Sequence, residues 1–251
     1  VDLGSWDALK PYFKQLQEAS LDMVFDLEQW LANLSELGAA IGQESSLRYI
    51  RMTCDTDNPS LEADYLHYVQ EIMPKCEPEF FELSRKLLDS PALGELPAER
   101  YEVYLRNVRN QVELYRPENI ELQTEDDTLS QQYQKACGEQ TAEFEGQERT
   151  IPQITKFLEE PDRKRRRAAW IAATSRQMED REKMESIFDR MLELRHLMAK
   201  NAGFENFLDF QFRRLGRFDY TVKDCEAFHR AVEVHIRPLR QKLLQRRKQQ
   251  M

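Results

Sequence analysis

The chain has 251 residues, of which 41% are hydrophobic and 32% charged, and its formal net charge is −9. This length allows one large domain or two small ones, and the aromatic content of 10% argues against an intrinsically disordered chain. An acidic surface repels phosphate backbones, so nucleic acid is not an expected partner. The sequence contains no apolar run of about 18 residues, so it predicts no membrane-spanning helix and no membrane partner.

Apolar residues at steps of three and four predict helices from the amino end onwards. Ser5 is predicted to cap the first helix and Ser20 the second, which continues to Cys54. Asn58 followed by Pro59 is a typical start of a third helix, because asparagine caps a helix well and proline suits its first turn.

The middle of the chain carries helix breakers. Pro74 and Pro78 lie within the third predicted helix and predict a kink or a split there, because proline lacks the amide donor. A further helix is predicted for residues 101–115. Residues 117–124 are predicted to be extended or loop-like, with Thr124 capping the helix after them.

Residues 141–151 have a different pattern, two short segments on either side of a Gly-Gln turn. This pattern predicts a small β-hairpin packed against helices. One long helix is predicted for residues 162–201, and Gly203 in a left-handed conformation is predicted to end it. Thr221 is predicted to cap the last helix. The predicted fold class is therefore all-α, an irregular multi-helix array with one small β-hairpin near residues 141–151.

The four cysteines, Cys54, Cys76, Cys137 and Cys225, form no C-x-x-C motif, which argues against a zinc ribbon or a redox pair. Their helical, apolar sequence neighbours predict reduced, buried thiols and a cytoplasmic location.

The four histidines form no recognisable metal site. A catalytic zinc helix has the motif H-E-x-x-H, which places both imidazoles on one face, and the chain has no such motif. His229 and His235 are six residues apart and point to different sides of a helix, while His67 and His196 stand alone. The chain also lacks a G-x-S-x-G nucleophile elbow and a glycine-rich phosphate loop.

The basic run at residues 163–167 is the most conspicuous charge cluster. Such a run can bind nucleic acid, but five consecutive helical residues spread over all faces. Pairing with Glu159, Glu160 or Asp162 at a solvated helix end is the favoured interpretation.

Several segments, taken in order, carry a family resemblance. They are 48–57 (RYIRMTCDTD), 107–110 (NVRN), 113–116 (ELYR), 144–146 (FEG), 150–151 (TI), 157–163 (FLEEPDR), 169–170 (AW), 193–196 (ELRH), 201–206 (NAGFEN) and 216–221 (GRFDYT). In this order the chain resembles the N-terminal part of the oligoendopeptidase F branch of the thimet-oligopeptidase-like zinc metallopeptidases. The ordered set spans nearly the whole chain, although no single segment is a catalytic signature.

The resemblance implies a mostly helical fold with a deep channel between two halves, in which short peptides are hydrolysed and from which folded proteins are excluded. In such enzymes the two histidines of H-E-x-x-H and a later glutamate hold a zinc ion that activates water, and the glutamate of the motif is the general base. By this resemblance residues 1–116 are an N-terminal helical region, residues 117–185 an N-terminal-like region with the hairpin, and residues 186–251 the truncated start of the catalytic domain.

The chain stops before the place of that motif, so no catalytic, cofactor-binding or metal-ligating residue is assigned to any position in it. Zinc is expected in the full-length family member and not in this chain. We expect the chain alone to be inactive, to form one wall of the substrate channel, and to pair with a missing C-terminal catalytic half.

Two other interpretations stay open. A complete, non-catalytic helical scaffold or protein-interaction module would account for the missing motif and would expose no large apolar face. The fragment hypothesis predicts the opposite, an apolar patch where the other half docks. Nucleic-acid binding through residues 163–167 would show steep salt dependence, and the net charge of −9 argues against it.

Overall fold

A computed structural model describes residues 3–250; the terminal residues Val1, Asp2 and Met251 lie outside the described part. The described chain is mostly helical, and its strands form one two-stranded antiparallel hairpin, so the predicted fold class is confirmed. Contacts group the chain into two compact units, residues 1–139 with 180–207, and residues 140–179 with 208–251.

The first unit is built from helices joined by short turns. In chain order its α-helices are α1 (Trp6–Glu18), α2 (Val24–Cys54), α3 (Pro59–His67), α4 (Met73–Leu88), α5 (Ala98–Leu114) and α6 (Glu118–Gly138), followed after a gap by α9 (Arg181–Asn201). A π-helical turn, Tyr68–Ile72, joins α3 to α4, and a 3-10 turn, Pro91–Glu95, lies between α4 and α5.

The main core of this unit lies between α1, α2, α4 and α5. Its buried side chains are Leu9, Phe13, Leu16, Leu21, Leu27, Trp30, Leu31, Leu37, Ile41, Tyr68, Ile72, Cys76, Leu83, Leu87, Ala92, Leu96, Leu105 and Val108. Phe13 packs edge-on against Phe80, with ring centroids 5.0 Å apart. The three- and four-residue spacing of these positions along each helix explains why the sequence periodicity predicted the helices correctly.

Where a kink or a split was predicted at Pro74 and Pro78, the structure has a π turn before Pro74. Proline has no amide hydrogen, and its ring clashes with the carbonyl of the preceding turn. The chain widens into the π turn directly before it, where the Met73 amide donates to the Tyr68 carbonyl. Helix α4 then continues through Pro78 without a break.

Three predicted boundaries are wrong. Helix α6 begins at Glu118, so residues 118–124 are helical and not extended, and the Thr124 hydroxyl donates to the Ile120 carbonyl inside the helix. Ser20 does not cap α2, which begins at Val24; its hydroxyl accepts from the Asp22 amide in the turn before it.

The third wrong boundary is the single helix predicted for residues 162–201. It is two helices, because Asp180 leaves helical geometry and is the N-cap of α9. The Asp180 side chain makes no capping hydrogen bond, and the sequence has no proline or glycine to reveal the break.

Helices α6 and α9 are joined by two bidentate ion pairs. Arg195 donates to both carboxylate oxygens of Asp126, at 3.0 and 3.2 Å, and Asp126 is only 6% exposed. Near the surface Arg190 donates to both oxygens of Glu125, at 2.7 and 2.9 Å. The hydrogen bonds from Arg190 lower the pKa of Glu125.

The second unit contains the hairpin and five α-helices. Its elements are β1 (Thr141–Phe144), β2 (Gln147–Thr150), α7 (Ile151–Thr155), a 3-10 turn (Lys156–Glu159), α8 (Arg163–Glu179), α10 (Phe207–Arg214), α11 (Val222–Ala231), a π turn (Val232–Ile236) and α12 (Arg237–Gln250). Thr141 pairs with Thr150 and Phe144 with Gln147.

The hairpin is confirmed, but its turn residues are Glu145 and Gly146 rather than Gly and Gln. Both have positive φ, 55° and 73°, as a tight two-residue hairpin turn requires. Phe144 is buried in a small core with Ile154, Ala169 and Ala173, so helices cover one side of the hairpin.

The cysteines are all free, but the prediction that they are buried is correct only for Cys76. Burial raises the pKa of the Cys76 thiol to about 12. Cys54 and Cys137 are exposed because they lie in the last turns of α2 and α6, and Cys225 is half-buried.

None of the helices within residues 3–250 is long and apolar enough to cross a lipid bilayer.

We expect Asp126→Asn to lower the free energy of unfolding by about 2 kcal/mol, because it leaves the Arg195 guanidinium without its bidentate partner in a mostly buried place. Urea unfolding followed by circular dichroism measures the change. Glu193→Gln, on the exposed face of α9, is the matched control and should stay within about 0.5 kcal/mol of the wild type. Equal stabilities for the two variants would contradict the prediction.

The ion pair between Glu62 and Lys135 should be an acid-sensitive contact between α3 and α6. Its carboxylate accepts from Lys135 and Gln131, both at 2.7 Å, and the hydrogen bond from Lys135 lowers its pKa below the usual 4.5. A carboxyl group with a lowered pKa stabilises the fold above its unfolded pKa, and this stabilisation is lost as the pH falls through the folded value.

The Glu62→Gln variant should therefore be less stable than the wild type at neutral pH, and the difference should shrink between about pH 5 and pH 3. Unfolding curves of both proteins at several pH values test this. A difference that stays constant down to pH 3 would show that the charge on Glu62 does not contribute.

Candidate functional site

The histidines do not form a metal site in the structure. His67, His196, His229 and His235 are all exposed. Among residues 3–250 no group of three or more histidine, cysteine, aspartate or glutamate side chains could hold a metal ion. Zinc prefers nitrogen or sulfur ligands that converge on one point, so the described residues do not fit the zinc ion that the sequence resemblance implies for the full-length protein.

The basic run is engaged with the hairpin and its own helix end. Arg165 donates to both carboxylate oxygens of Glu145, at 2.7 and 2.8 Å, and lies 3.2 Å from a carboxylate oxygen of Glu160. Its guanidinium also lies 4.6 Å from the ring centroid of Phe157. Arg166 donates to the carbonyls of Glu160 and Pro161. Pairing with Glu160 was predicted, whereas the stronger contact with Glu145 needed the hairpin turn to be known.

The segment between α10 and α11 is held by hydrogen bonds at both of its ends. Helix α10 ends in a Schellman motif, in which the Arg217 amide donates to the Phe212 carbonyl and Gly216 adopts a φ of 63°. Thr221 caps α11 as predicted, and the Asp224 carboxylate accepts from the Thr221 amide at 2.8 Å. Hydrogen bonds from Thr221 lower the pKa of Asp224.

Helices α11 and α12 contain no buried residue. Five apolar side chains that are three or four residues apart lie along one side of them, and all are exposed; we call them the carboxyl-terminal stripe, and they are Phe228, Val232, Ile236, Leu239 and Leu243. The stripe spans about 23 Å at the helical rise of 1.5 Å per residue. The flanking positions of α12 are rich in arginine and lysine, and α12 has no acidic residue.

A continuous apolar stripe on an exposed helix is unlike the scattered apolar residues of an ordinary surface. Such a stripe is typical of a helix face that packs against another structural element. The sequence identified Phe228, Val232 and Leu239 as apolar positions of a helix, but periodicity alone does not tell whether such a face is covered.

Two sequence-family models match the chain. The model of the peptidase M3 N-terminal domain matches residues 4–115, and the model of peptidase family M3 matches residues 156–251. The chain belongs to the peptidase M3 family. The two stretches follow one another along the sequence, and together they cover most of the chain.

Three solved structures have the same fold as this chain. A Bacillus anthracis str. Ames protein described as an oligoendopeptidase F matches with a TM-score of 0.89 at 24% identity, covering 96% of this chain and 45% of its own. A second protein described as an oligoendopeptidase F gives 0.91 at 26%, covering 98% and 44%. PZ peptidase A, solved with an inhibitor, gives 0.90 at 27%, covering 98% and 44%.

A search of curated proteins gave no significant match. The chain spans less than half the length of the three solved structures that it matches. The resemblance to the N-terminal portion of oligoendopeptidase F-type peptidases is confirmed by the family models and these structures together.

The carboxyl-terminal stripe predicts binding of the dye anilinonaphthalene sulfonate by the 251-residue chain. Leu239→Gln with Leu243→Gln should lower the dye fluorescence and leave the melting temperature unchanged, because both side chains are exposed. The control pair is Ile50→Gln with Val103→Gln, two exposed apolar residues on different helices. If both pairs reduce the fluorescence equally, the stripe is no more than ordinary surface.

Proposed function

We propose that this chain is the N-terminal portion of a zinc-dependent oligoendopeptidase that hydrolyses short peptides, and that it forms one wall of the substrate channel. The observation that carries the proposal is the ordered match of the two M3 peptidase models along the chain. Support comes from the solved oligoendopeptidase F and PZ peptidase A structures, which match nearly all of this chain and are more than twice as long.

The zinc ligands and the general base lie, by this proposal, in a C-terminal half outside the 251 residues. The contribution of this chain is structural: ion-paired and capped helices hold a wall in place. Short peptides are the substrates, and the proposed location is the cytoplasm.

The carboxyl-terminal stripe supports the proposal that α11 and α12 pack against a partner. A complete, non-catalytic scaffold would have no reason to leave Phe228, Ile236 and Leu243 exposed along one side of a helix. The proposed partner is the C-terminal half of the same polypeptide, whose docking would bury the stripe. An acidic surface beside its apolar contact would suit the basic flanks of α12.

The activity test uses the full-length protein and an internally quenched fluorescent peptide of about ten residues. We expect hydrolysis that 1,10-phenanthroline abolishes and added zinc restores, while the non-chelating 1,7-isomer has no effect. A folded protein substrate should remain uncut, and the 251-residue chain alone should be inactive. Hydrolysis that survives chelation, or that the 251-residue chain performs alone, would contradict the proposal.

A stability measurement tests the docking of the two halves separately from activity. Leu239→Gln with Leu243→Gln should destabilise the full-length protein by at least about 2 kcal/mol, because both leucines are buried there, and should leave the 251-residue chain unaffected. Val103→Gln is the control in both proteins. The absence of any difference between the two proteins would favour the scaffold interpretation.

A further inference from the structure

A groove on the first unit lies far along the chain from the carboxyl-terminal stripe. It runs between α1 and the first half of α2 and has a volume of about 820 Å³. Its lining is formed by Leu3, Tyr12, Gln15, Leu16, Ala19, Ser20, Phe25, Asp26, Gln29, Trp30, Asn33, Glu36, Leu37 and Ala40. All of these residues come from the first 40 positions, so the groove is complete within a single helical pair and its turn.

The floor of the groove is apolar and already held in place. Trp30 is 3% exposed, and its indole donates to the Leu16 carbonyl at 2.9 Å. The ammonium group of Lys86 donates to the same carbonyl and to that of Ala19, which fixes the end of α1. A ligand would therefore meet a preformed surface and lose little affinity to ordering it.

The edge of the groove exposes aromatic surface. Phe25 is 75% exposed and Tyr12 39%. A concave apolar site with an exposed aromatic rim is typical of a binding groove rather than of ordinary surface.

The α2 wall of the groove is one face of the helix. Asp26, Gln29, Asn33, Glu36 and Ala40 follow one another at alternating steps of three and four residues. Residues at this spacing lie side by side along one face of a helix. The wall is about 21 Å long, which matches about four turns of a partner helix.

The two charged side chains that line the groove are acidic, whereas the Lys86 ammonium is bound to the backbone carbonyls of two lining residues, Leu16 and Ala19. Asp26 and Glu36 lie about 15 Å apart along α2, and the lining has no lysine, arginine or histidine. Within residues 3–250 neither carboxylate takes part in an ion pair or a side-chain hydrogen bond. Two unpaired carboxylates that flank an apolar floor complement a ligand with an apolar face and positive charges on either side of it.

We infer that the α1–α2 groove binds an amphipathic helix with a basic polar face, presented by a partner protein. Leucine-like side chains of that helix would lie on Trp30 and Leu37 and beside Phe25. Lysine or arginine side chains would pair with Asp26 and Glu36. This binding is independent of peptide hydrolysis, so it stands or falls separately from the proposed function.

The test measures binding by the full-length protein of a fluorescein-labelled 14-residue peptide with leucine at the helix-contact positions and lysine elsewhere. A peptide with glutamate in place of lysine is the matched ligand control. A chelator is present throughout, so that hydrolysis does not remove the probe. We expect the lysine peptide to bind at least about tenfold more tightly than the glutamate peptide, by fluorescence anisotropy.

Protein variants locate the binding. Asp26→Lys with Glu36→Lys should weaken the lysine peptide at least about tenfold and strengthen the glutamate peptide. Phe25→Ser should weaken both peptides without lowering the melting temperature. The control pair Glu99→Lys with Glu102→Lys makes the same charge change on α5, away from the groove, and should leave the affinities within about twofold.

Three results would overturn the inference. The first is equal loss of affinity in the groove pair and the control pair, which would mean that the lysine peptide responds only to net charge. The second is wild-type binding too weak to detect at about 1 mM peptide. The third is binding that persists in both pairs, which would place the peptide elsewhere on the protein.

Discussion

The carbonyl groups at the ends of the helices determine how the first unit is joined together. The last turn of a helix leaves four carbonyls without a partner in the helix, and each must find a donor. The end of α9 is an example of how such carbonyls find donors. The amides of Phe204 and Gly203 donate to the Ala199 and Lys200 carbonyls in a Schellman motif.

Residues that are distant in sequence also donate to carbonyls at the end of α9. Arg116 donates to the Asn201 carbonyl at 3.0 Å. Asn119 donates at 3.0 Å to the Met198 carbonyl, which also accepts from the Ala202 amide. Lys86 and Trp30 do the same for the end of α1. Because these donors lie outside the helix whose end they contact, each such hydrogen bond is also a tertiary contact, and a helical array without sheet ladders gains its register from them.

The missing amide of proline and the bulk of its ring explain the two π turns. In both cases a five-residue π turn is followed by one residue and then by proline: Tyr68–Ile72 precedes Pro74, and Val232–Ile236 precedes Pro238. The amide just after each turn donates five residues back, to Tyr68 in one helix and Val232 in the other. The wider turn gives the proline ring room and lets a long helix continue through a residue that would otherwise end it. The sequence reveals the proline, but periodicity alone does not tell whether the helix will split or widen.

The features that were predictable from the sequence are those set by local chemistry. Ser5, Asn58 and Thr221 cap their helices, and Gly203 ends α9 with a φ of 86°. The boundaries that were missed depend on contacts with distant residues. Residues 118–124 lack strong apolar periodicity and are helical where Asn119 contacts the end of α9, and the break at Asp180 has no proline or glycine to mark it. The exposure of Cys54 and Cys137 is likewise set by the packing of neighbouring helices, which sequence neighbours do not show.

The same distinction explains why the family was recognisable from a chain with no catalytic motif. The segments that carried the resemblance contain Arg195, which pairs with Asp126, Gly203 and Gly216, which end helices, and Thr221, which caps one. Each of these residues performs a structural task with narrow chemical requirements, so its identity and spacing report the fold.

Helix caps and ion pairs in the sequence identify the family to which the chain belongs. They do not identify which surfaces of the chain contact a partner. That question depends on apolar side chains whose periodicity is the same whether they are covered or exposed. Leu37, at the floor of the groove, and Leu243, on the carboxyl-terminal stripe, both belong to helical apolar patterns, yet one is 8% and the other 64% exposed. Only the packed structure separates the two, which is why the candidate contact surfaces of this chain emerge from the structure and its family from the sequence.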